Sequence, residues 1–212
     1  KTTVFGLNFS SPVGLAAGFD KQAKCVRPLF RSGLGYVEVG GVTPLPQPGN
    51  PKPRLWRLEE DKAVINRFGL NSQGSHAVAQ RLREFRQTEA EEEGKVVGAN
   101  LAKNTASEDA IADYVAGVEV LGPWVDVLVL NVSCPNVAWT KGLAGDADAM
   151  TRLVKAVKQA RDALPPKIQA GGGGYKGRER PALLLKVSPD LDSEGLASLA
   201  SLALSSGVDG LV

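Results

Sequence analysis

The chain of 212 residues is 43% hydrophobic and 23% charged, a balance that excludes disorder and collagen-like repeats and suffices for one sizeable core. Lys plus Arg total 25 against 23 Asp plus Glu, a formal charge of +2, too near neutral to point to nucleic acid or an anionic membrane as partner. Two Cys and one His provide neither a metal-ligand set nor a disulfide framework. No apolar run approaches about 18 residues, and the opening KTTVFGLNFSSPVG lacks the basic and apolar regions of a signal peptide, so the chain reads as soluble.

Taken in chain order, the first apolar run, Val13 to Phe19, is a predicted strand leading into Asp20 and Lys21. Cys25 and Leu29 follow at helical spacing, with Cys25 read as a small core filler and Gly33 as the helix stop. The second strand, Tyr36 to Thr43, runs into Thr43 to Pro53, where five Pro in eleven positions exclude helix and central strand and suggest a rigid loop roofing a pocket. The polar cluster Asn66 to Ser72 precedes an amphipathic helix that opens near His76, read as structural or solvated, and ends in the solvated acidic run Glu89 to Glu93. Strand three is Lys95 to Ala102. Ser107 stands as an N-cap before a helix whose face is Ile111, Tyr114, Val115, Val118 and Leu121. Strand four, Val125 to Ser133, precedes a helix marked by Met150, Leu153, Val154 and Val157. Pro165 to Arg180, with Gly171 to Gly174 in a row, reads as a flexible linker. Strand five is Ala182 to Ser188, Ser193 an N-cap, Gly207 a stop, and Val208 to Val212 the sixth strand.

The runs VDVLVLNV and ALLLKV are apolar on both faces, as strands are when helices cover a parallel sheet. The fold class is therefore α/β, and two architectures compete: an open doubly wound sheet and a TIM-type (β/α)8 barrel. AAGFDK follows the first strand where a dinucleotide fold requires G-x-G-x-x-G, which favours the barrel. Polar residues then cluster where a barrel carries its chemistry, after the strands: Asp20 and Lys21, Thr43, Asn100 and Lys103, Asn131 to Asn136, Lys186 to Asp190. The expected barrel is incomplete, with about six of eight strands present.

Asn131 to Asn136 (NVSCPN) sets two carboxamides, a hydroxyl and a thiol at the end of an apolar strand. Carboxamides pair with imide or carbonyl ligands, and a thiol can act as base or nucleophile near neutral pH; an Asn-capped turn is the competing reading. The same choice holds for the segment from Asn66 to Ser72. Lys21 and Lys186 at one barrel end are either solvated or placed to stabilise an anion such as a reduced flavin.

LAAGFDK (15 to 21), VEVGGVTPLPQPGNPKPR (37 to 54), INRFGLNSQG (65 to 74), GANLAKN (98 to 104), NVSCPN (131 to 136) and LLKVSPD (184 to 190) together resemble the dihydroorotate dehydrogenase family, specifically its membrane-associated, quinone-using class 2. The resemblance implies an (α/β)8 barrel that holds FMN over its C-terminal strand ends and oxidises dihydroorotate to orotate in pyrimidine synthesis, with quinone as the final acceptor. It implies that Ala16, Ala17, Gly18 and Gly40 let the backbone approach FMN, that Lys21, Asn100, Asn131 and Lys186 contact the flavin, and that Lys21, Asn66, Asn131 and Asn136 hold substrate, with Arg67, Phe68, Gly69 and Leu70 completing the substrate rim. Gly41 is a flavin-side position where the family usually has a hydroxyl residue. Cys134 is the implied base, where class 2 usually has Ser and class 1 has Cys. No metal is expected. By this resemblance residues 1–212 are roughly the N-terminal two thirds of a single FMN-binding barrel domain. Membrane association and quinone entry belong to a segment outside the chain, at the mitochondrial inner membrane in a eukaryote or the cytoplasmic membrane in a bacterium. The fragment alone is expected to bind FMN weakly or not at all and to be inactive, because an open barrel leaves unpaired strand edges. An FMN barrel acting on another substrate and a catalytically dead scaffold are the rival readings.

Overall fold

The computed structural model describes residues 1–89, 94–132, 147–166 and 178–212. All six expected strands form one parallel sheet. With two added hairpins the strands are β1 (Thr2–Val4), β2 (Leu7–Phe9), β3 (Gly14–Leu15), β4 (Tyr36–Val42), β5 (Leu55–Leu58), β6 (Ala63–Asn66), β7 (Val96–Leu101), β8 (Val127–Asn131), β9 (Ala182–Lys186) and β10 (Gly210–Leu211). The helices are α1 (Val26–Arg31), α2 (Ser75–Glu89), α3 (Ala110–Leu121), α4 (Ala147–Ala163) and α5 (Ser193–Ser206). The sheet order β10-β9-β8-β7-β4-β3 follows the chain, each parallel neighbour reached through a crossover, which is the progression of a partial TIM-type barrel.

Strand side chains alternate between faces, and here each face has its own core. Val37, Val39, Val97, Ala99, Leu128, Leu130, Leu183 and Leu185 point outward against helix residues such as Val78, Leu82, Tyr114, Val118, Leu153 and Val157. Val96, Val127, Val129, Ala182 and Leu184 point inward and pack on Leu7, with Phe5, Phe9 and Tyr36 beside them. The β1–β2 hairpin thus plugs the lower end of the sheet. Its turn carries Phe5 and Gly6 at φ 53 and 72, the pair of left-handed residues that joins strands through a tight primed turn.

One device recurs at the strand bottoms. Asp126, completely buried, accepts from Arg86 Nη2 at 2.6 Å and from the Val97 N–H at 2.9 Å, while its own N–H donates to the Val97 carbonyl. Asp209 repeats this: it accepts from Arg161 Nη1 at 3.0 Å, Arg178 Nη2 at 2.6 Å and the Leu183 N–H at 2.8 Å, and its N–H donates to the Leu183 carbonyl. In each case a helix arginine grips the aspartate that precedes the next strand. The shared Val-Asp of Val125-Asp126 and Val208-Asp209 is its signature.

Several expectations are corrected. The N-caps are Asp109 and Asp192, whose carboxylates accept from the Ala112 and Gly195 N–H groups, and not Ser107 and Ser193; a carboxylate competes well for a helix N-terminus, where it also meets the helix dipole. Cys25 is exposed, because it stands at the mouth of α1 with its N–H held by Asp20 at 2.6 Å, and the buried positions of that helix are Val26 and Phe30. The first strand is only Gly14–Leu15, and residues 16 to 19 become rim. Gly207, at φ 71, caps α5 as expected. Most of the Pro165 to Arg180 linker lies outside the described residues; its end is held where Arg178 Nη1 donates to the Phe5 carbonyl at 2.6 Å.

Candidate active site

The last inward-facing position of each central strand is polar or glycine: Gly40 on β4, Asn100 on β7, Asn131 on β8 and Lys186 on β9. Register places Gly40 beside Asn100 and Asn131 beside Lys186. These side chains gather at one rim because a parallel sheet aligns all its strand ends.

A polar row runs beneath this rim. The Tyr36 hydroxyl donates to Glu38 Oε2 at 3.1 Å, Asn100 Nδ2 donates to Glu38 Oε1 at 2.7 Å, and Asn131 Nδ2 donates to Asn100 Oδ1 at 2.9 Å. Tyr114, on α3, reaches under the sheet to donate its hydroxyl to the Asn131 carbonyl at 2.6 Å. Glu38 and Asn100 are 3% and 0% exposed. Burial, and then the Glu38 carboxylate, hold the Tyr36 phenol well above its ordinary pKa. Gly98 makes the row possible: a Cβ there would run into the Tyr36 hydroxyl.

The β3 edge supplies the small residues. The Gly18 N–H donates to the Gly40 carbonyl at 2.9 Å, and a Cβ on Gly18 would meet nothing within 4 Å, so this backbone faces open space. Gly40 has φ 112, and its Cβ would stand 2.5 Å from the Asn100 carbonyl oxygen; only glycine fits. A Cβ on Gly41 would lie 3.3 Å from Asn100 Oδ1, Ala102 Cβ and Leu70 Cδ2. A side chain here is tight but touches the amide row.

The buried Asp20 carboxylate accepts from the Lys24 and Cys25 N–H groups at 2.8 and 2.6 Å, fixing the turn that carries Lys21. Lys21 Nζ lies 5.9 Å from the centre of the Phe68 ring. Phe68 belongs to the segment after β6, and the Pro-rich loop holds that segment by backbone. Gln47 N–H and carbonyl pair with Ser72, Asn50 N–H donates to the Phe68 carbonyl at 3.0 Å, Asn50 Nδ2 donates to the Arg67 carbonyl at 2.8 Å, and Gln47 Nε2 donates to the Leu70 carbonyl at 2.8 Å. The loop expected to roof a pocket acts as its buttress. Between Gly18, Phe19 and Lys21 on one side and Asn66, Phe68, Gly69 and Leu70 on the other lies a cleft of about 360 Å³, walled by Leu55 and Val64 of the β5–β6 hairpin.

Of the expected site residues, Lys21, Asn66, Phe68, Gly69, Leu70 and Gly18 meet at this cleft, and Asn100, Asn131 and Lys186 at the neighbouring rim; Ala16 and Ala17 precede Gly18 on the β3 edge. Arg67 turns aside: its guanidinium donates to the Pro53 carbonyl at 3.2 Å and lies over the Trp56 ring. Lys103 is spent on the Asn104 and Ser107 carbonyls. Cys134 and Asn136 lie outside the described residues. Sequence reasoning missed Glu38, Tyr36 and the cleft wall at Leu55 and Val64. The signal for Glu38 was available: a carboxylate inside a strand otherwise apolar on both faces.

Known proteins match this chain along its whole length. The family described as "Dihydroorotate dehydrogenase" matches residues 1–212. The chain is 49% identical over 211 residues to "Dihydroorotate dehydrogenase (quinone), mitochondrial" of Mus musculus, covering 99% of this chain and 50% of that protein. It is 46% identical over 210 residues to "Dihydroorotate dehydrogenase (quinone)" of Rhodospirillum rubrum, covering 99% of this chain and 52% of the relative. The chain thus spans about half the length of the curated relatives it matches. The crystal structure of DHODH from Eimeria tenella in complex with ferulenol superposes with TM-score 0.90 at 38% identity, covering 98% of this chain and 57% of that one. With an unbroken match along its sequence and the same strand progression in space, the chain belongs to the dihydroorotate dehydrogenase family.

Proposed function

We propose that this chain supplies the flavin and substrate rim of a single barrel domain that oxidises dihydroorotate to orotate in pyrimidine synthesis, with quinone as the final electron acceptor. The observation that carries this reading is the row of Asn100, Asn131 and Lys186 on one inner rim, beside a glycine edge that leaves the backbone open at Gly18. An isoalloxazine and dihydroorotate both present imide N–H and C=O groups, which carboxamides match as paired donor and acceptor.

The donor set fits FMN. Ala16, Ala17, Gly18, Gly40 and Gly41 let the ring approach the backbone, while Asn100, Asn131, Lys21 and Lys186 bond or neutralise it. Bound FMN supplies the hydride acceptor. Lys21 and Lys186 favour the electron-rich state by Coulomb attraction in a water-poor site. Asn66, Asn131 and Asn136 hold the carboxylate and amide groups of the substrate, and Phe68, Gly69 and Leu70 border it. Oxidation removes a hydride from C6 and a proton from C5, leaving a C5–C6 double bond. Cys134, three residues beyond Asn131, accepts that proton as a thiolate, and the unperturbed thiol pKa of about 8.5 makes this less demanding than with an alcohol.

Names of relatives support the remaining assignments. The relatives from mouse, rice and Arabidopsis carry "mitochondrial" in their names, and the bacterial ones "quinone". On this reading the protein works at the mitochondrial inner membrane in a eukaryote or the cytoplasmic membrane in a bacterium. Among the described residues no helix is long and apolar enough to cross a membrane.

Anaerobic mixing with saturating dihydroorotate tests the mechanism. Cys134→Ala should slow flavin bleaching by about 100-fold or more, the scale of a lost general base, and Cys134→Ser should move the pH optimum upward. Bleaching at the wild-type rate in the Ala variant refutes the assignment.

A further inference from the structure

We infer that Glu38 is a positioning residue that sets the direction in which Asn100 and Asn131 present their amides to the bound ring system. The inference rests on the flavin-rim reading above and goes beyond it, since Glu38 does not line the cleft and meets the rim only from beneath, through Asn100.

A carboxamide has an acceptor end and a donor end, and nothing in its shape selects one orientation. An ionised carboxylate only accepts. Because Glu38 Oε1 takes a bond at 2.7 Å from Asn100, Asn100 must present Nδ2 downward and Oδ1 sideways. Asn131, facing that oxygen at 2.9 Å, must then present its own Nδ2, which turns Asn131 Oδ1 away from Asn100. One buried carboxylate therefore decides the polarity of two carboxamides in series on adjacent strands. The other Glu38 oxygen accepts from the Tyr36 hydroxyl, which marks the carboxylate as the acceptor end of the row.

The surroundings are built for this. Glu38 lies on the inner face of β4, and Gly98 on the neighbouring strand lacks the Cβ that would displace the Tyr36 hydroxyl. Asn100 is completely buried, so water cannot relieve a reversed amide, and a reversal would place Oδ1 against the carboxylate.

Two variants test the inference in the full-length protein. Glu38→Met keeps the length of the side chain and removes the acceptor; Glu38→Gln keeps an acceptor oxygen. FMN affinity is read by fluorescence titration of the apoprotein, thermal midpoints by scanning, and the orientation of Asn100 by the solvent exchange of its side-chain amide protons in NMR. The Met variant strands the buried Asn100 and Tyr36 donors and should melt lower than the Gln variant, bind FMN about tenfold or more weakly, the equivalent of one oriented hydrogen bond, and lose slow exchange at Asn100. The Gln variant should stay within about threefold of wild type. A role in packing alone would let Met serve as well as Gln, so equal FMN affinity in wild type and the Met variant overturns the inference, as does a Gln variant impaired as much as Met. Should the Met variant not fold, Gln decides: retained affinity and slow exchange sustain the inference, and loss of both refutes it. If wild type binds no FMN, the flavin reading falls, and Glu38 is judged on exchange alone: slow in wild type and Gln but fast in Met upholds it, equal rates in all three dismiss it.

Discussion

Removal of the Arg86 side chain should destabilise the protein far more than any surface charge change. Arg86 and Asp126 side chains are 2% and 0% exposed and 2.6 Å apart. Arg86→Met takes the guanidinium from a buried carboxylate and a donor from the Trp124 carbonyl, now bonded at 3.0 Å. Breaking a buried pair in this way costs about 3–5 kcal/mol. With a urea slope of about 2 kcal/mol per molar, the midpoint of denaturation should fall by about 2 M. The second substitution is the more informative. Asp126 also accepts from the Val97 N–H, so adding Asp126→Leu would strand a buried donor and recover little. Adding Asp126→Asn removes the charge and keeps an acceptor oxygen, and should recover about half of the loss. Urea denaturation followed by circular dichroism measures both. A midpoint shift below about 0.5 M for Arg86→Met, or full recovery with leucine, would refute the reasoning that this pair couples α2 to the start of two strands.

Two further expectations follow from the site. Tyr36 has its pKa raised by burial and by Glu38, so its contribution to stability is complete below the unfolded phenol value of about 10 and is lost as pH rises above it, where the unfolded chain ionises first. Wild type and Tyr36→Phe should therefore show the same phenolate absorbance until unfolding; a difference appearing near pH 10 in the folded protein contradicts this. Gln47→Ala removes the donor to the Leu70 carbonyl and the acceptor for Asn104 and Thr105. On the proposed function, loosening the cleft border in this way should raise the KM of the full-length protein for dihydroorotate about threefold or more with kcat little changed; a change in kcat alone would speak against a buttressing role.

Much of the scaffold is legible from hydrophobic pattern. The six apolar runs become the six strands of one parallel sheet in chain order, and Met150, Leu153, Val154 and Val157 bury as a single face of α4. This follows because strands covered on both sides can be filled only by apolar residues, and helical spacing admits one arrangement of the buried stripe. Boundaries are less legible. Asp109 and Asp192 displace the serines as caps, since several residues near a helix start can supply the acceptor and only the local backbone selects among them. The short strands of the two hairpins escape a periodicity argument, because three or four residues hold too little alternation to separate strand from loop.

By itself the sequence determined the fold class, the family and which side chains crowd the strand ends, because alternation, turn residues and motif order are local properties written along the chain. Tertiary structure alone decided what those side chains do to each other. That Glu38 governs Asn100 and through it Asn131, that Gly98 makes room for the Tyr36 hydroxyl, that Arg67 turns to the Pro53 carbonyl, and that the Pro-rich loop braces residues 67 to 72 all depend on register between strands and on loops far apart in sequence. Hydrogen bonds are directional and act over about 3 Å, so their partners emerge only once the sheet has set which residues lie side by side.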